Sequence, residues 1–186
     1  LFNDDAGFDA LVLATLIAVG LGGFLCLACR CSPRQISNRE GILLVVITWV
    51  AAGLVGALPF YFSAHFGNFT DAFFESISGF TTTGATILED IEALPRSLLL
   101  WRSLTHWIGG MGIILLGIAI LPLLGTGGME LYRAEFSGAS SERLTPRIAE
   151  TALALWKLYL AFSVAEFLAL WAAGMDYFDA ICHTFS

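Results

Sequence analysis

Formal charge is scarce in this chain. Its 186 residues hold 9 Lys and Arg and 16 Asp and Glu, a charged share of 13%, about half that of a soluble domain. Such a shortage excludes an ordinary water-soluble shell. Cysteine is scarce too, at four residues. Cys26, Cys29 and Cys31 sit at one end of the first apolar run. A metal site would need a fourth ligand and a polar cradle, and neither is visible. The three read as small apolar residues in a reducing compartment. No basic segment precedes the first apolar run; Asp4, Asp5 and Asp9 stand there instead, which excludes a signal peptide. No HExxH, Gly-x-Ser-x-Gly or paired His/Asp pattern occurs. An intramembrane enzyme using His106 with Glu75 or Asp71 is therefore not favoured, and no enzymatic activity is expected.

What is present is apolar surface in long runs. Apolar residues make up 57% of the chain. Ala10–Cys29 and Gly41–Ala64 carry no charge, and Ser103–Met129 carries a single histidine. Thr151–Met175 is interrupted by Lys157 and Glu166. Roughly 20 helical residues cross about 30 Å of hydrocarbon, so each run is long enough to span. Arg30, Arg34, Arg39, Arg133, Arg143 and Arg147 fall between spans on one side; Arg96 and Arg102 fall on the other. The positive-inside rule then puts the N-terminus and the Phe66–Leu94 loop outside. Asp71, Glu75, Glu89, Asp90, Glu92, Asp176 and Asp179 share that outer side. An acidic outer face concentrates cations. A nucleic-acid partner is not expected; membrane lipid is.

The outer loop holds the most informative segment. Thr70–Ser78 reads as a short amphipathic helix capped by Thr70 or Asp71, too short to span. Gly79–Thr86 follows, uncharged and rich in Thr and Gly. The pair reads as a re-entrant element, in by helix and out by extended chain. Non-helical backbone at membrane depth must be buried in protein or line a water-filled path. An ion that sheds its water needs carbonyl oxygens in its place. Glycine permits the backbone that aims them, and threonine adds a hydroxyl on a stiff side chain. Thr81, Thr82, Thr83, Gly84 and Ala85 are the expected ion-binding stretch, with the negative end of the helix dipole facing the ion. Asp71, Glu75 and Ser78 are the expected helix contributions. Glu75 has two open roles, bonding the loop backbone or facing the vestibule. An ordinary surface turn is the competing reading of the loop.

A repeat supports the pore reading. Asp71–Ser78 aligns with Asp179–Ser186 at an offset of 108, sharing Asp, Ala and the final Ser. The same offset lays Gly41–Ala64 onto Ala149–Ala172. Internal repeats are a common way to build a central pathway. Further candidates are structural by default. His106 has no acid at helical spacing, Gly109-Gly110-Met111-Gly112 suits close helix packing, and Trp101 and Trp107 suit an aromatic belt with Arg102 snorkelling outward. Lys157 and Glu166, inside a span, are candidates for function or for pairing between repeats.

TDAFFESISGFTTTGAT, WRSLTHWIGGMGIILLGIAILP, GGMELYRAE, LTPRIAETALALW and FDAICHTFS together resemble the TrkH-type subunit of bacterial potassium-uptake systems, in the Trk/Ktr/HKT superfamily. The resemblance runs from about Gly41 to Ser186. It implies an all-α integral membrane fold of membrane–pore–membrane repeats, each with a re-entrant pore helix and an extended selectivity-filter loop. On that basis 1–35 holds an N-terminal transmembrane helix and the start of a cytoplasmic loop. The first repeat is 36–124, a cytoplasmic amphipathic connection is 125–146, and 147–186 begins a second repeat that stops before its filter. The resemblance further implies potassium held by the Thr82, Thr83 and Gly84 carbonyls, Gly84 as the key glycine, and no bound cofactor. It implies a homodimer in the bacterial inner membrane and a cytosolic nucleotide-binding TrkA-type subunit, with Arg30–Glu40 and Leu123–Arg147 as contact surfaces. A two-span subunit of a homotetrameric cation channel is the alternative.

Overall fold

The computed structural model describes residues 6–29, 38–124 and 144–186. Among these there are seven helices and no strand: α1 Ala6–Ala28, α2 Asn38–Gly56, α3 Leu58–Phe62, α4 Phe69–Phe80, α5 Arg96–Leu124, α6 Leu144–Ala172 and α7 Tyr177–Phe185. Asp4, Asp5, Cys31, Arg30, Arg34, Arg133 and Arg143 lie outside the described residues, as do most of the expected contact surfaces at Arg30–Glu40 and Leu123–Arg147.

Among the described residues, four helical stretches are long and apolar enough to cross a membrane: Gly7–Ala28, Arg39–Phe62, Arg96–Leu116 and Glu150–Ala172. Their outward faces keep large apolar groups exposed, among them Leu16, Val19 and Phe24 on α1, Leu43 on α2 and Phe162 on α6. A helix satisfies its own backbone groups, so lipid can cover such faces without leaving donors unpaired. The third span differs from expectation. It takes in Arg96, Trp101 and Arg102 instead of starting at Ser103. A charge is tolerated there because a buried carboxylate neutralises it, as described below.

Two compact units are present, one of residues 1–110 with 181–186 and one of residues 111–180. In the first, Pro59 explains the break between α2 and α3, because proline has no N–H to continue the helical ladder. It sits at the start of α3, where a missing donor does no harm. The chain then turns through Phe66 into α4. Ala57, Phe60, Phe66, Ala72, Leu94 and Leu98 form the buried core, with Phe73, Leu88, Leu99 and Trp101 packed against it. Phe60 and Phe66 meet edge to face at 5.2 Å, the arrangement that ring quadrupoles favour. The Trp101 indole N–H donates to the Gly56 carbonyl at 3.0 Å, so its polar tip turns to protein at the end of α2 instead of an interface belt.

Helix α4 is held between α2 and α5. It packs along α2, and on the other side Gly109 of α5 faces the Phe80 backbone so closely that a Cβ would collide with it. Gly79 of α4 likewise leaves no room for a side chain against Thr105. Small residues that let backbones approach are the usual device for packing helices in lipid.

In the second unit, α6 begins at Leu144, and Pro146 sits in its first turn, where a missing backbone donor does no harm. Phe167 of α6 meets Tyr177 edge to face at 5.5 Å. Lys157 and Glu166 occupy exposed positions on α6.

Gly109→Val should destabilise the protein by about 1–3 kcal/mol, the usual cost of overpacking. The clash is with backbone, which cannot rotate away. The check is the thermal midpoint of the detergent-purified full-length protein, with Gly20→Ala, where a Cβ meets open space, as the control.

Candidate filter loop and its supports

Helix α4 is set from its first residue. Asn68 is extended, and its side-chain oxygen accepts the Asp71 backbone N–H at 2.9 Å. That satisfies one of the donors every helix start leaves open. Asn68, and not Thr70 or Asp71, is therefore the cap, and the helix runs one residue earlier and two later than expected. Asp71 falls in the first turn, where the helix dipole favours a negative charge. The second copy starts similarly, with the bond two residues on instead of three. Asp176 accepts the Phe178 N–H at 3.2 Å. Asn68 and Asp176, like the helix starts Phe69 and Tyr177, are 108 residues apart.

The C-terminal end of α4 explains the run of threonines. Thr81 N–H bonds the Ile77 carbonyl, Thr82 N–H bonds Gly79, and Thr83 N–H bonds Ser78, each at 2.9 Å. Thr82 has φ +54. This is the Schellman pattern, with its left-handed position occupied by threonine where glycine is usual. A β-branched side chain there costs roughly 1–2 kcal/mol. Thr81 offsets part of that cost. Its hydroxyl lies 2.7 Å from the Ile77 carbonyl and 2.7 Å from the Thr83 hydroxyl. The Ile77, Ser78 and Gly79 carbonyls at the end of α4 are thus occupied by the Thr81–Thr83 amides, and the helix dipole still points past its end.

From Thr83 the chain turns back along the helix. Gly84 has φ +73, a backbone that glycine adopts without strain, and a Cβ there would meet open space. Its need is conformational. Ser78 hydroxyl donates to the Ala85 carbonyl at 2.5 Å. One turn further back, Thr86 hydroxyl donates to Glu75 Oε2 at 2.9 Å and accepts the Leu88 N–H at 3.1 Å. The residues therefore retrace α4: Ala85 lies opposite Ser78, and Thr86 opposite Glu75. Thr81–Ala85 are exposed, whereas Glu75, Ser76, Ser78, Gly79 and Phe80 behind them are buried. Of the expected residues, Glu75 and Ser78 support the loop. Asp71 sits at the far end of the helix, about 10 Å of rise from Ser78, and does not.

Glu75 is 1% exposed and is gripped from α5: Arg102 Nε donates to Glu75 Oε1 at 2.6 Å, with Arg102 itself only 11% exposed. Glu75 thus neither faces a vestibule nor bonds the loop backbone; it holds a loop hydroxyl. Arg102 does not snorkel outward, because an unpaired buried carboxylate would be far costlier than drawing the guanidinium inward. The Arg102 carbonyl in turn accepts the Thr105 hydroxyl at 2.6 Å. It also lies 3.0 Å from His106 Nδ1, so His106 is tied to its own helix. Sequence reasoning missed the Arg102 pairing, yet a signal existed. Glu75 is the lone charge from Ala72 to Leu88, and Arg102 the lone formal charge from Ser97 to Met129.

A multi-pass helical membrane protein, with a short capped helix folded against a Thr/Gly loop, is the class these features define. The family model for TrkH, a cation transport protein, matches residues 9–186, and the chain belongs to that family. The Trk system potassium uptake protein TrkH of Escherichia coli strain K12 is 50% identical over 188 residues, covering 100% of this chain and 39% of that protein. TrkH of Halomonas elongata is 46% identical over 184 residues, covering 98% of this chain and 38% of its own. The crystal structure of the potassium transporter TrkH from Vibrio parahaemolyticus superposes with a TM-score of 0.82 at 39% identity, over 99% of this chain and 36% of that one. The chain thus spans about 39% of the length of the curated relatives it matches.

Thr82→Gly should raise stability by about 1 kcal/mol, because glycine carries no penalty at that backbone angle. Ser78→Ala should lower it by about 1 kcal/mol, the net worth of a typical hydrogen bond. Thermal midpoints of the two variants should move in opposite directions.

Proposed function

We propose that this chain carries one strand of a selectivity filter through which a Trk-type system moves potassium across the bacterial inner membrane. The observation that supports the reading best is the loop itself. Thr81–Ala85 is uncharged and exposed, and it is held on a fixed course along α4 by Ser78 and Glu75. An exposed strand of backbone is what a carbonyl-lined path requires, provided that further strands close around it. In this reading α4 is a re-entrant pore helix, and Thr82, Thr83 and Gly84 offer their carbonyls to a dehydrated ion. Thr81 and Ala85 flank that site. The region 36–124 is one membrane–pore–membrane repeat, 125–146 its cytoplasmic connection and 147–186 the start of the next. The matching Asn68 and Asp176 caps support that division.

The wider assignments rest on the relatives. Proteins named as Trk potassium uptake components match the whole chain, and from them come potassium as the transported ion and transport as the activity. The positive-inside rule applied to the basic loops supports an N-terminus on the outer side. A homodimer, and a nucleotide-binding TrkA-type partner on the cytoplasmic side, complete the proposed assembly. The homotetramer of two-span subunits is disfavoured, because relatives hold this chain as 39% of one polypeptide.

The test is Gly84→Asp in the full-length protein, read as potassium uptake and as discrimination against sodium. The expected result is at least a tenfold loss of discrimination, the change that about 1.4 kcal/mol produces. Unchanged uptake and selectivity would remove Gly84 from the filter.

A further inference from the structure

We infer that Glu75 and Arg102 are a positioning strut for the filter loop, and so set its selectivity without touching the ion. The inference rests on the filter reading above and adds the residues that hold the filter's shape.

The geometry carries it. The Glu75 carboxylate divides its two oxygens between two elements. Oε1 takes Arg102 of α5 at 2.6 Å, and Oε2 takes the Thr86 hydroxyl at the outgoing end of the loop at 2.9 Å. The carboxylate is 1% exposed, so water does not compete for either bond. Thr86 in turn accepts the Leu88 N–H, which pins the backbone just beyond the loop. A continuous chain of charge-assisted and neutral hydrogen bonds therefore runs from α5 through α4 to the loop. Charged hydrogen bonds of this kind are short and directional, and buried bonds in series stiffen one another.

Two features separate a strut from an ion ligand. The negative charge is matched by a guanidinium in contact, so the site as a whole is neutral. Both carboxylate oxygens also already have donors. A permeating cation would have to displace Arg102 or Thr86 to reach either. What the strut controls is the course of residues 83–86, and hence the distance between the carbonyls that face the ion. The other loop anchor, from Ser78 to Ala85, ties α4 to the loop alone. The Glu75–Arg102 pair brings α5, a membrane-spanning helix, into the support of the loop.

The experiment uses the full-length protein in cells lacking other potassium uptake, with rubidium and sodium flux as readouts. Glu75→Gln and Arg102→Gln should both reduce rubidium-over-sodium discrimination, in the same direction and by roughly tenfold, while Glu75→Gln/Arg102→Gln should be no worse than the poorer single variant. Thr86→Val should produce a smaller loss of the same kind, and Thr86→Ser, which keeps the hydroxyl, should restore it. Should a charge variant fail to reach the membrane, the two Thr86 variants decide, since neither disturbs the ion pair. If Arg102→Gln raises cation affinity while Glu75→Gln lowers it, the carboxylate is an ion ligand and the strut is overturned. Unchanged discrimination in all of these, with Gly84→Asp still damaging, overturns the strut and leaves the filter reading standing. Unchanged discrimination in Gly84→Asp as well overturns both.

Discussion

A carboxylate at 1% exposure inside an apolar assembly is the constraint around which this part of the molecule is arranged. Burying it alone would cost several kcal/mol. Arg102 offsets part of that cost at a distance of 2.6 Å, and doing so requires α4 and α5 to lie close. Their close approach in turn requires Gly79 and Gly109, where any side chain would strike Thr105 or the Phe80 backbone. With the helices in place, the second carboxylate oxygen is free to take Thr86. One ion pair thus links the packing of α4 on α5 to the path of the loop.

The loop solves a separate problem, how to stop a helix abruptly and send the chain back beside it. Three threonine amides close the last turn of α4, and Gly84 supplies a positive φ two residues after Thr82. The strain at Thr82 is real, yet the threonine hydroxyls are put to use. Thr81 and Thr83 meet each other, and Thr82 bonds the Thr81 carbonyl at 2.7 Å. Backbone strain retained in a segment otherwise well hydrogen-bonded is the pattern seen where function needs a set geometry. Glycine at position 82 would relax the turn and give up a hydroxyl.

The two copies of the short helix share a start. Asn68 and Asp176 cap at equivalent positions, and each is followed by an aromatic residue. They differ in their later residues: the position of Glu75 in α4 is held by His183 in α7. Near the end of α7, Phe185 packs on Trp107 at 5.4 Å, and Ser186 lies 3.5 Å from Ser103. The copies therefore share a beginning and diverge in how they are braced, as expected of a pathway built from unequal repeats in one chain.

Sequence alone determined the membrane class, the four spans, the short helix at its approximate place, and the Thr/Gly loop at Thr81–Ala85; the family resemblance singled out Gly84 within it. These are local properties: hydropathy adds along a run, and a Thr/Gly-rich stretch is visible where it stands. The identity of the cap, the left-handed turn at Thr82 and the beginning of the third span at Arg96 came from the structure. So did the pairing of Glu75 with Arg102. The sequence shows both charges alone in uncharged surroundings. Whether each faces water or the other, 27 residues away, depends on how α4 and α5 pack, and that is decided by the close approach at Gly79 and Gly109 together with the cost of leaving either charge unpaired.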